Sequence, residues 1–270
     1  MSDYMYLPKI SGDVESSLTI TNIVTNSRGP SPVRSEFDLL VLEPIRGSQG
    51  WKVVRRLNFD GAEVKQLSSS DYSLDVGELV VVLPVDKSNK YRFELESLPI
   101  PKSRSVDSSL CTSRGSLRFH YAGSSSSFQS EYPSSMVQRN LGNMTSFRIP
   151  DRELDNNKTH LACFINLSNT ENSNHKEVEI IVLNEKRQIL DRLNFVRNAC
   201  TNYEIPLHLH KTQLTFTING CVAIPLFVSL CTSPIKQITV EHSHPPSEMF
   251  WRQKSQRLGV GRIRQVWNVK

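Results

Sequence analysis

Helical periodicity, paired cysteines and long apolar runs are all scarce in this chain of 270 residues. The five cysteines, at positions 111, 163, 200, 221 and 231, form no Cys-x-x-Cys pair, which argues against a disulfide framework and a zinc knuckle. No apolar stretch is long enough to cross a bilayer, and the amino terminus lacks the features of a signal peptide. We therefore expect a cytoplasmic protein with no membrane span and with reduced, mostly buried cysteines.

Signatures of catalysis are also missing. The glycines at 259 and 261 are not followed by a recognisable helix start, so they do not form a phosphate-binding loop. The segment Ser-Leu-Cys-Thr-Ser at 109–113 lacks the glycines of a nucleophile elbow. We expect that the protein is not an enzyme, and we predict no catalytic and no cofactor-binding residue.

What the sequence does contain is alternation of apolar and polar residues with a period of two, which predicts β-strands. In the first half we predict strands at 17–24, 37–43, 52–59, 63–67, 78–83, 91–95 and 116–121. In the second half we predict strands at 159–167, 176–184, 189–196, 201–207, 213–219, 223–230 and 237–242. Seven short strands in each half indicate an all-β fold and match the strand count of an immunoglobulin-like sandwich.

Short segments of the first half recur in the second. Ser-Leu-Cys-Thr-Ser at 109–113 recurs at 229–233, and Arg-Leu-Asn-Phe at 56–59 recurs at 192–195. The copies run in the same order, so we predict two tandem immunoglobulin-like β-sandwich domains from an internal duplication. Cys111 and Cys231 then occupy equivalent places, which favours packing over a duplicated nucleophile.

Alignment of the two copies yields further equivalences. Leu39 and Val41 align with Ile180 and Val182, and their spacing of two on β-rich segments predicts that all four face a core. Residues 71–74 align with residues 202–205 in the same way. The predicted organisation is a first repeat at 1–123, a Ser-rich linker at 124–150, a second repeat at 151–249 and a basic, Trp-containing tail at 250–270.

The densest group of candidate metal ligands follows the last predicted strand. His242 and His244 have the i, i+2 spacing that places two side chains on one side of an extended segment, and Glu248 would supply a third ligand for zinc or iron. His208 and His210 repeat that spacing, and they would enlarge the site if the two segments met. The alternative is a loop that leaves the sandwich and leads into the tail.

The tail contains most of the unbalanced charge. It carries six basic residues and no acidic residue, whereas the whole chain has a net charge of +5, so the body is close to neutral. Two tryptophans would be costly to leave in water, which favours an arm docked on the body or on a partner. Nucleic acid or an acidic partner is the alternative. The candidate partner-binding residues are Trp251, Arg252, Lys254, Arg257, Arg262, Arg264 and Trp267.

The apolar run at 223–232, together with the paired strands predicted around 178–182 and 193–196, resembles the sensory rhodopsin transducer family of small β-sandwich proteins. The resemblance spans roughly residues 160–233 and implies an oligomeric, non-catalytic binding module. Two fused copies and a basic tail depart from the single-domain pattern of that family. We expect a binding or scaffold protein that recognises a protein or a small or polymeric ligand, with self-association, metal binding and nucleic-acid binding as the alternatives.

Overall fold

The computed structural model is all-β and divides into two units, at 1–134 and 135–270. It describes residues 3–21, 37–48, 50–59, 63–85, 87–99, 115–133, 136–137, 144–149, 156–169, 178–218, 221 and 223–242. Every pair of neighbouring strands is antiparallel in the four sheets of these residues. Within these ranges, no helix has the length and apolar character needed to cross a membrane.

The strands of the first unit form two sheets, one in the order β10-β1-β6-β3-β4-β7 and one in the order β5-β2-β8-β9. They are β1 (Asp3–Pro8), β2 (Glu15–Thr21), β3 (Phe37–Pro44), β4 (Trp51–Phe59), β5 (Val64–Ser68), β6 (Leu79–Val85), β7 (Glu94–Leu95), β8 (Gly115–Tyr121), β9 (Ser124–Ser130) and β10 (Tyr132–Pro133). A short 3₁₀ helix, Ser69–Tyr72, follows β5.

The strands of the second unit form sheets in the orders β11-β16-β13-β14 and β15-β12-β17-β18. They are β11 (Met144–Ile149), β12 (Lys158–Ile165), β13 (Glu179–Leu183), β14 (Ile189–Asn194), β15 (Cys200–Glu204), β16 (Leu214–Ile218), β17 (Ile224–Cys231) and β18 (Gln237–His242). A short 3₁₀ helix, Leu207–Leu209, follows β15.

Both units have the same order of strands once β7 and β10 are set aside. The order β1-β6-β3-β4 corresponds to β11-β16-β13-β14, and β5-β2-β8-β9 corresponds to β15-β12-β17-β18. An immunoglobulin domain places its first strand beside its second, in the order A-B-E-D. Here the first strand of each unit lies in the sheet that does not contain the second. The immunoglobulin-like order is therefore not observed, because the number of strands does not determine how they pair.

All fourteen predicted strands are confirmed, although their ends differ by several residues in some cases. The strands missing from the prediction are β1, β9, β10 and β11. The last three lie within or overlap 124–150, so the range predicted as a linker contains strands of both units. β9 is built from serines with only Phe128 and Gln129 among them, and it forms because it pairs along its whole length with β8 in an antiparallel ladder.

The core of the second unit lies between its two sheets. Phe164 of β12 and Phe216 of β16, which belong to different sheets, have ring centroids 5.4 Å apart, and Tyr203 of β15 contacts Phe216 edge-on at 5.9 Å. Ile180 and Val182 of β13 are fully buried in the same cluster. Since the aligned Leu39 and Val41 are also fully buried in the first unit, the prediction of four core positions is confirmed.

The recurring Arg-Leu-Asn-Phe segments occupy equivalent places. Leu57 of β4 pairs with Leu39, and Leu193 of β14 pairs with Ile180, so the register of the two hairpins agrees with the sequence alignment. In both copies the Arg and Asn are exposed, the Leu is half-buried and the Phe is buried. Burial alternates along the strand in this way because successive side chains point to opposite faces of a sheet.

The Arg of each copy also forms the same ion pair across its hairpin. Arg56 contacts Asp38, and Arg192 contacts Glu179, with the acid at the same register position in β3 and β13. The surroundings differ, however. The side chain of Asp38 is only 5% exposed, whereas that of Glu179 is 38% exposed.

Only the second of the two recurring Ser-Leu-Cys-Thr-Ser segments lies among the described residues. In the second unit this segment ends β17, and Cys231 is the last residue of that strand. The corresponding strand of the first unit is β8, which begins only at Gly115, after residues 109–113. Cys111 and the whole segment 109–113 lie outside the described residues, so the equivalence of Cys111 and Cys231 stays a prediction. The predicted alignment of 71–74 with 202–205 is wrong, because Tyr72 lies in a 3₁₀ helix and Tyr203 lies in β15.

Candidate functional site

Most of the predicted site residues fall where the structure gives no description. His244, Glu248 and the whole tail, including Trp251, Arg252, Lys254, Arg257, Arg262, Arg264 and Trp267, lie outside the described residues. His242 is the last residue of β18, and its backbone pairs with Leu226 of β17. Metal binding by His242, His244 and Glu248 and partner binding by the tail both stay predictions.

The second predicted histidine pair is not on a strand. Residues 207–209 form a 3₁₀ helix and His210 follows it in a turn, so the i, i+2 spacing does not place the two side chains on one side. His208 is exposed and His210 is buried. The expectation of a strand failed because Pro206 at the start and the turn at His210 favour a tight local helix over an extended backbone.

The structure instead brings His210 against a histidine that sequence reasoning missed. His160, near the start of β12, has its ring centroid 4.6 Å from that of His210, in an edge-to-face arrangement. His160 also stacks on Phe227 at 5.6 Å, and its Nδ1 lies 2.8 Å from the hydroxyl oxygen of Ser229. No spacing rule could have revealed this pair, because it depends on the register of β12 against β17 and on the turn after β15.

Hydrogen bonding fixes one of the two tautomers. Nε2 of His210 lies 3.2 Å from the carbonyl oxygen of Ile205, so it must carry the hydrogen and donate it. The backbone of Ile205 is in turn held by the carbonyl oxygen of His160, at 2.8 Å. This histidine pair (His160 and His210) therefore joins β12, β17 and the turn after β15 in a buried polar cluster.

The chemistry available to this histidine pair is limited. Its two rings are almost completely buried, and the described part of the chain contains no group of three His, Cys, Asp or Glu residues able to hold a metal ion. His242 is also remote from the histidine pair. His160 is opposite Ser229 of β17, and His242 is opposite Leu226 of the same strand. These two positions are three residues apart, or about 10 Å along an extended strand. The arrangement fits a polar anchor within the sandwich.

The first unit contains a related contact in reversed order. Ser17 of β2 and His120 of β8 are 3.0 Å apart, joining the two strands that correspond to β12 and β17. In the second unit the histidine lies on β12 and the serine on β17. A Ser-His contact between these two strands therefore occurs in both units, which supports a structural use.

Three of the four described cysteines, Cys163, Cys200 and Cys221, are buried as packing residues are, whereas Cys231 is partly exposed. Burial raises the pKa of the Cys200 thiol well above its usual value, and the neighbouring Cys163 adds to the increase. Burial also raises the pKa of Cys221 to about 12, although Arg197 opposes this shift. A thiol with a raised pKa forms little thiolate at neutral pH and is a poor nucleophile.

One sheet edge of the second unit exposes apolar side chains. β14 is the last strand of its sheet and has no neighbour on its outer side among the described residues. Ile189 is 52% exposed and Leu190 is 37% exposed, and Val196, just after the strand, is exposed as well. We refer to the outer side of β14 with Ile189 and Leu190 as the β14 edge.

The corresponding edge of the first unit is covered by the chain itself. There β4 is followed outward by β7, with Trp51 opposite Leu95 and Lys52 opposite Glu94. The backbone N–H of Val53 donates to the carbonyl oxygen of Phe93 at 2.8 Å. The chain has 29 residues between β6 and β8 but only five between β16 and β17, so this connection in the second unit is too short to supply a strand equivalent to β7.

The charges near the β14 edge are partly paired. Arg192 contacts Glu179, and its backbone N–H donates to the Asp191 carboxylate at 2.8 Å, so it does not donate to another strand. At the hairpin tip before β14, Lys186 and Arg187 are exposed beside one acid, Glu185. This end of the β14 edge is therefore positively charged.

Comparison with protein-family models, with curated proteins and with solved structures finds no match to this chain.

Proposed function

We propose that the protein is a non-enzymatic, protein-binding module built from two duplicated β-sandwich units, in which the second unit supplies the recognition surface. The shared order of strands, the shared hairpin register and the shared ion pair support an origin by duplication. The resemblance to the sensory rhodopsin transducer family, which implies a non-catalytic binding module, stays a prediction.

The difference between the two units carries this proposal. A sheet edge offers backbone donors and acceptors to another chain, and proteins normally protect it. The first unit covers its β4 edge with β7, whereas the β14 edge exposes Ile189 and Leu190. Exposed apolar side chains on an edge strand are a feature of protein-interaction sites.

Affinity capture from the cells that produce the protein tests the proposal. The full chain is compared with a double variant, Ile189→Lys and Leu190→Lys, which places two charges on the β14 edge. A matched control, Val64→Lys and Val76→Lys, adds the same charge at two exposed apolar positions of the first unit. We expect proteins retained by the wild type and by the control to be lost from the double variant, and identical retention by all three would contradict the proposal.

The two other predicted functions have separate tests. Metal binding through His242, His244 and Glu248 predicts stoichiometric zinc or iron in the purified protein, and elemental analysis showing neither would remove it. Nucleic-acid binding through the tail predicts an affinity that falls steeply with salt, because phosphate contacts release counterions. An affinity independent of salt would count against that function.

A further inference from the structure

The β4 edge shows which backbone groups a partner of the β14 edge would meet. Both hairpins contain a shift of register at the same place. In the first unit, Val41 and Leu42 are opposite Arg55 and Val53. In the second unit, Val182 and Leu183 are opposite Asp191 and Ile189. Each hairpin thus skips one residue, Val54 or Leu190. Ile189 is therefore the equivalent of Val53, whose N–H donates to the carbonyl oxygen of Phe93, the residue before β7.

From this equivalence we infer that the β14 edge binds an extended peptide segment of a partner protein as an added antiparallel strand, in the place that β7 occupies in the first unit. This inference rests on the proposed function and specifies its partner. The N–H of Ile189 donates to the peptide backbone, as Val53 does to Phe93. Backbone hydrogen bonds supply affinity in such strand addition, and side chains supply specificity.

The neighbouring side chains determine the chemistry of the peptide. Ile189 is opposite the position that Phe93 occupies in the first unit, so an apolar residue there would cover an exposed apolar side chain. Leu95 lies opposite Trp51 at the start of β4, whereas the start of β14 follows a turn in which Arg187, with φ 61°, and Lys186 place positive charge beside this end of the edge. An acidic residue two positions after the apolar one therefore fits this edge, since it would lie near the positive charges of the turn.

The hydrogen bond between the Arg192 N–H and the Asp191 carboxylate explains why the rest of β14 does not need a partner. The N–H of Arg192 is already occupied by Asp191, and charged residues on an edge strand discourage further pairing. The binding segment is thus limited to the beginning of the strand, next to Gln188, Ile189 and Leu190. This matches the extent of β7, which consists of Glu94–Leu95.

A labelled synthetic peptide tests the inference with the full-length protein. The probe has the sequence of residues 90–98 with Leu95→Glu, and a second peptide carries Leu95→Lys. We expect the first peptide to bind with fluorescence anisotropy that saturates, and the second to bind at least about threefold more weakly, on the scale of one cross-strand charge pair.

Variants of Ile189 separate the backbone contact from the side-chain contact. Ile189→Pro removes the N–H that faces outward, and we expect it to weaken binding of the Glu peptide by at least about tenfold, the value of one lost hydrogen bond. Ile189→Ala keeps the N–H and should bind more weakly than wild type but more tightly than the Pro variant. Val64→Ala, on the edge strand β5 of the first unit, should bind as the wild type does.

Three results would overturn the inference: no binding of the Glu peptide, equal affinity of wild type and both Ile189 variants, or self-association that Ile189→Pro abolishes. The last would assign the β14 edge to a second copy of the chain. Circular dichroism checks that each variant is folded, and Ile189→Ala provides the test if the Pro variant is not. If capture of cellular proteins depends on the β14 edge while the peptide does not bind, the proposed function stands and strand addition fails.

Discussion

The ion pair shared by the two units allows one substitution to be compared in two environments. Arg56→Ala removes the partner of Asp38, whose side chain is 5% exposed and lies 2.5 Å from Arg56. The other carboxylate oxygen, Oδ1, is buried and has no hydrogen-bond partner among the described residues. The substitution therefore leaves a buried carboxylate without its counter-charge, which we expect to cost about 2–3 kcal/mol of unfolding free energy.

Arg192→Ala makes the equivalent change in the second unit. Arg192 is 51% exposed and Glu179 is 38% exposed, so water can solvate the carboxylate that remains. Exposed ion pairs contribute about 0.2–1 kcal/mol, and we expect a loss within that range. The difference between the two substitutions thus depends on burial and not on the register, which is the same.

Urea unfolding followed by circular dichroism measures both losses, with Asp38→Ala and the double variant with Arg56→Ala completing a double-mutant cycle. We expect a coupling free energy above about 1 kcal/mol for the first-unit pair. Equal losses for Arg56→Ala and Arg192→Ala would refute the argument that the burial of Asp38 controls the cost.

Three further predictions follow from the described residues. Glu15 has a pKa below its usual value: burial would raise it, but hydrogen bonds from Ser68 and Ser70 and the charge of Lys9 outweigh burial. The ionised Glu15 therefore stabilises the fold above its unfolded pKa of about 4.3, and this contribution is lost as the pH falls through the lower folded pKa. Glu15→Gln should lower the unfolding free energy at pH 7 and flatten the fall of that free energy below about pH 4. An unchanged dependence of stability on acid pH would contradict this. Cys200 and Cys221 should resist alkylation by iodoacetamide at pH 8 in the folded protein and react in urea, as peptide mass spectrometry can show; rapid labelling of the folded chain would exclude their burial. Phe216→Ala should lower the unfolding free energy by about 3–5 kcal/mol because Phe216 contacts rings of the opposite sheet, whereas Thr215→Ala, at a half-buried neighbour on the same strand, should cost far less in the same urea assay.

The sequence allowed the strands to be predicted more completely than their arrangement. Alternation identified strands such as β13 and β17 because apolar residues recur there with a period of two or fill the strand entirely. It did not identify β9, where five serines give no apolar face and pairing with β8 determines the structure. The order of strands depends on contacts between distant residues, which a local pattern does not contain.

The sites were less predictable for related reasons. The histidine pair joins residues 50 positions apart through the register of β12 and a turn, so His-x-His spacing led instead to His208, which is exposed. The β14 edge has ordinary strand residues, and only comparison with the covered β4 edge distinguishes it. The recurrence of Arg-Leu-Asn-Phe identified that comparison correctly, because each copy lies on one of these two strands.

Hydrogen–deuterium exchange of the full-length protein, with and without the Glu peptide, tests the strand-addition claim most directly. Backbone amides exchange slowly when they are hydrogen-bonded and protected from water. We predict that saturating peptide slows exchange in a proteolytic fragment containing 188–190, while a fragment containing 51–53, where β7 is already paired, exchanges at the same rate. Slower exchange only elsewhere, or no change near Ile189 under saturating peptide, would contradict the account.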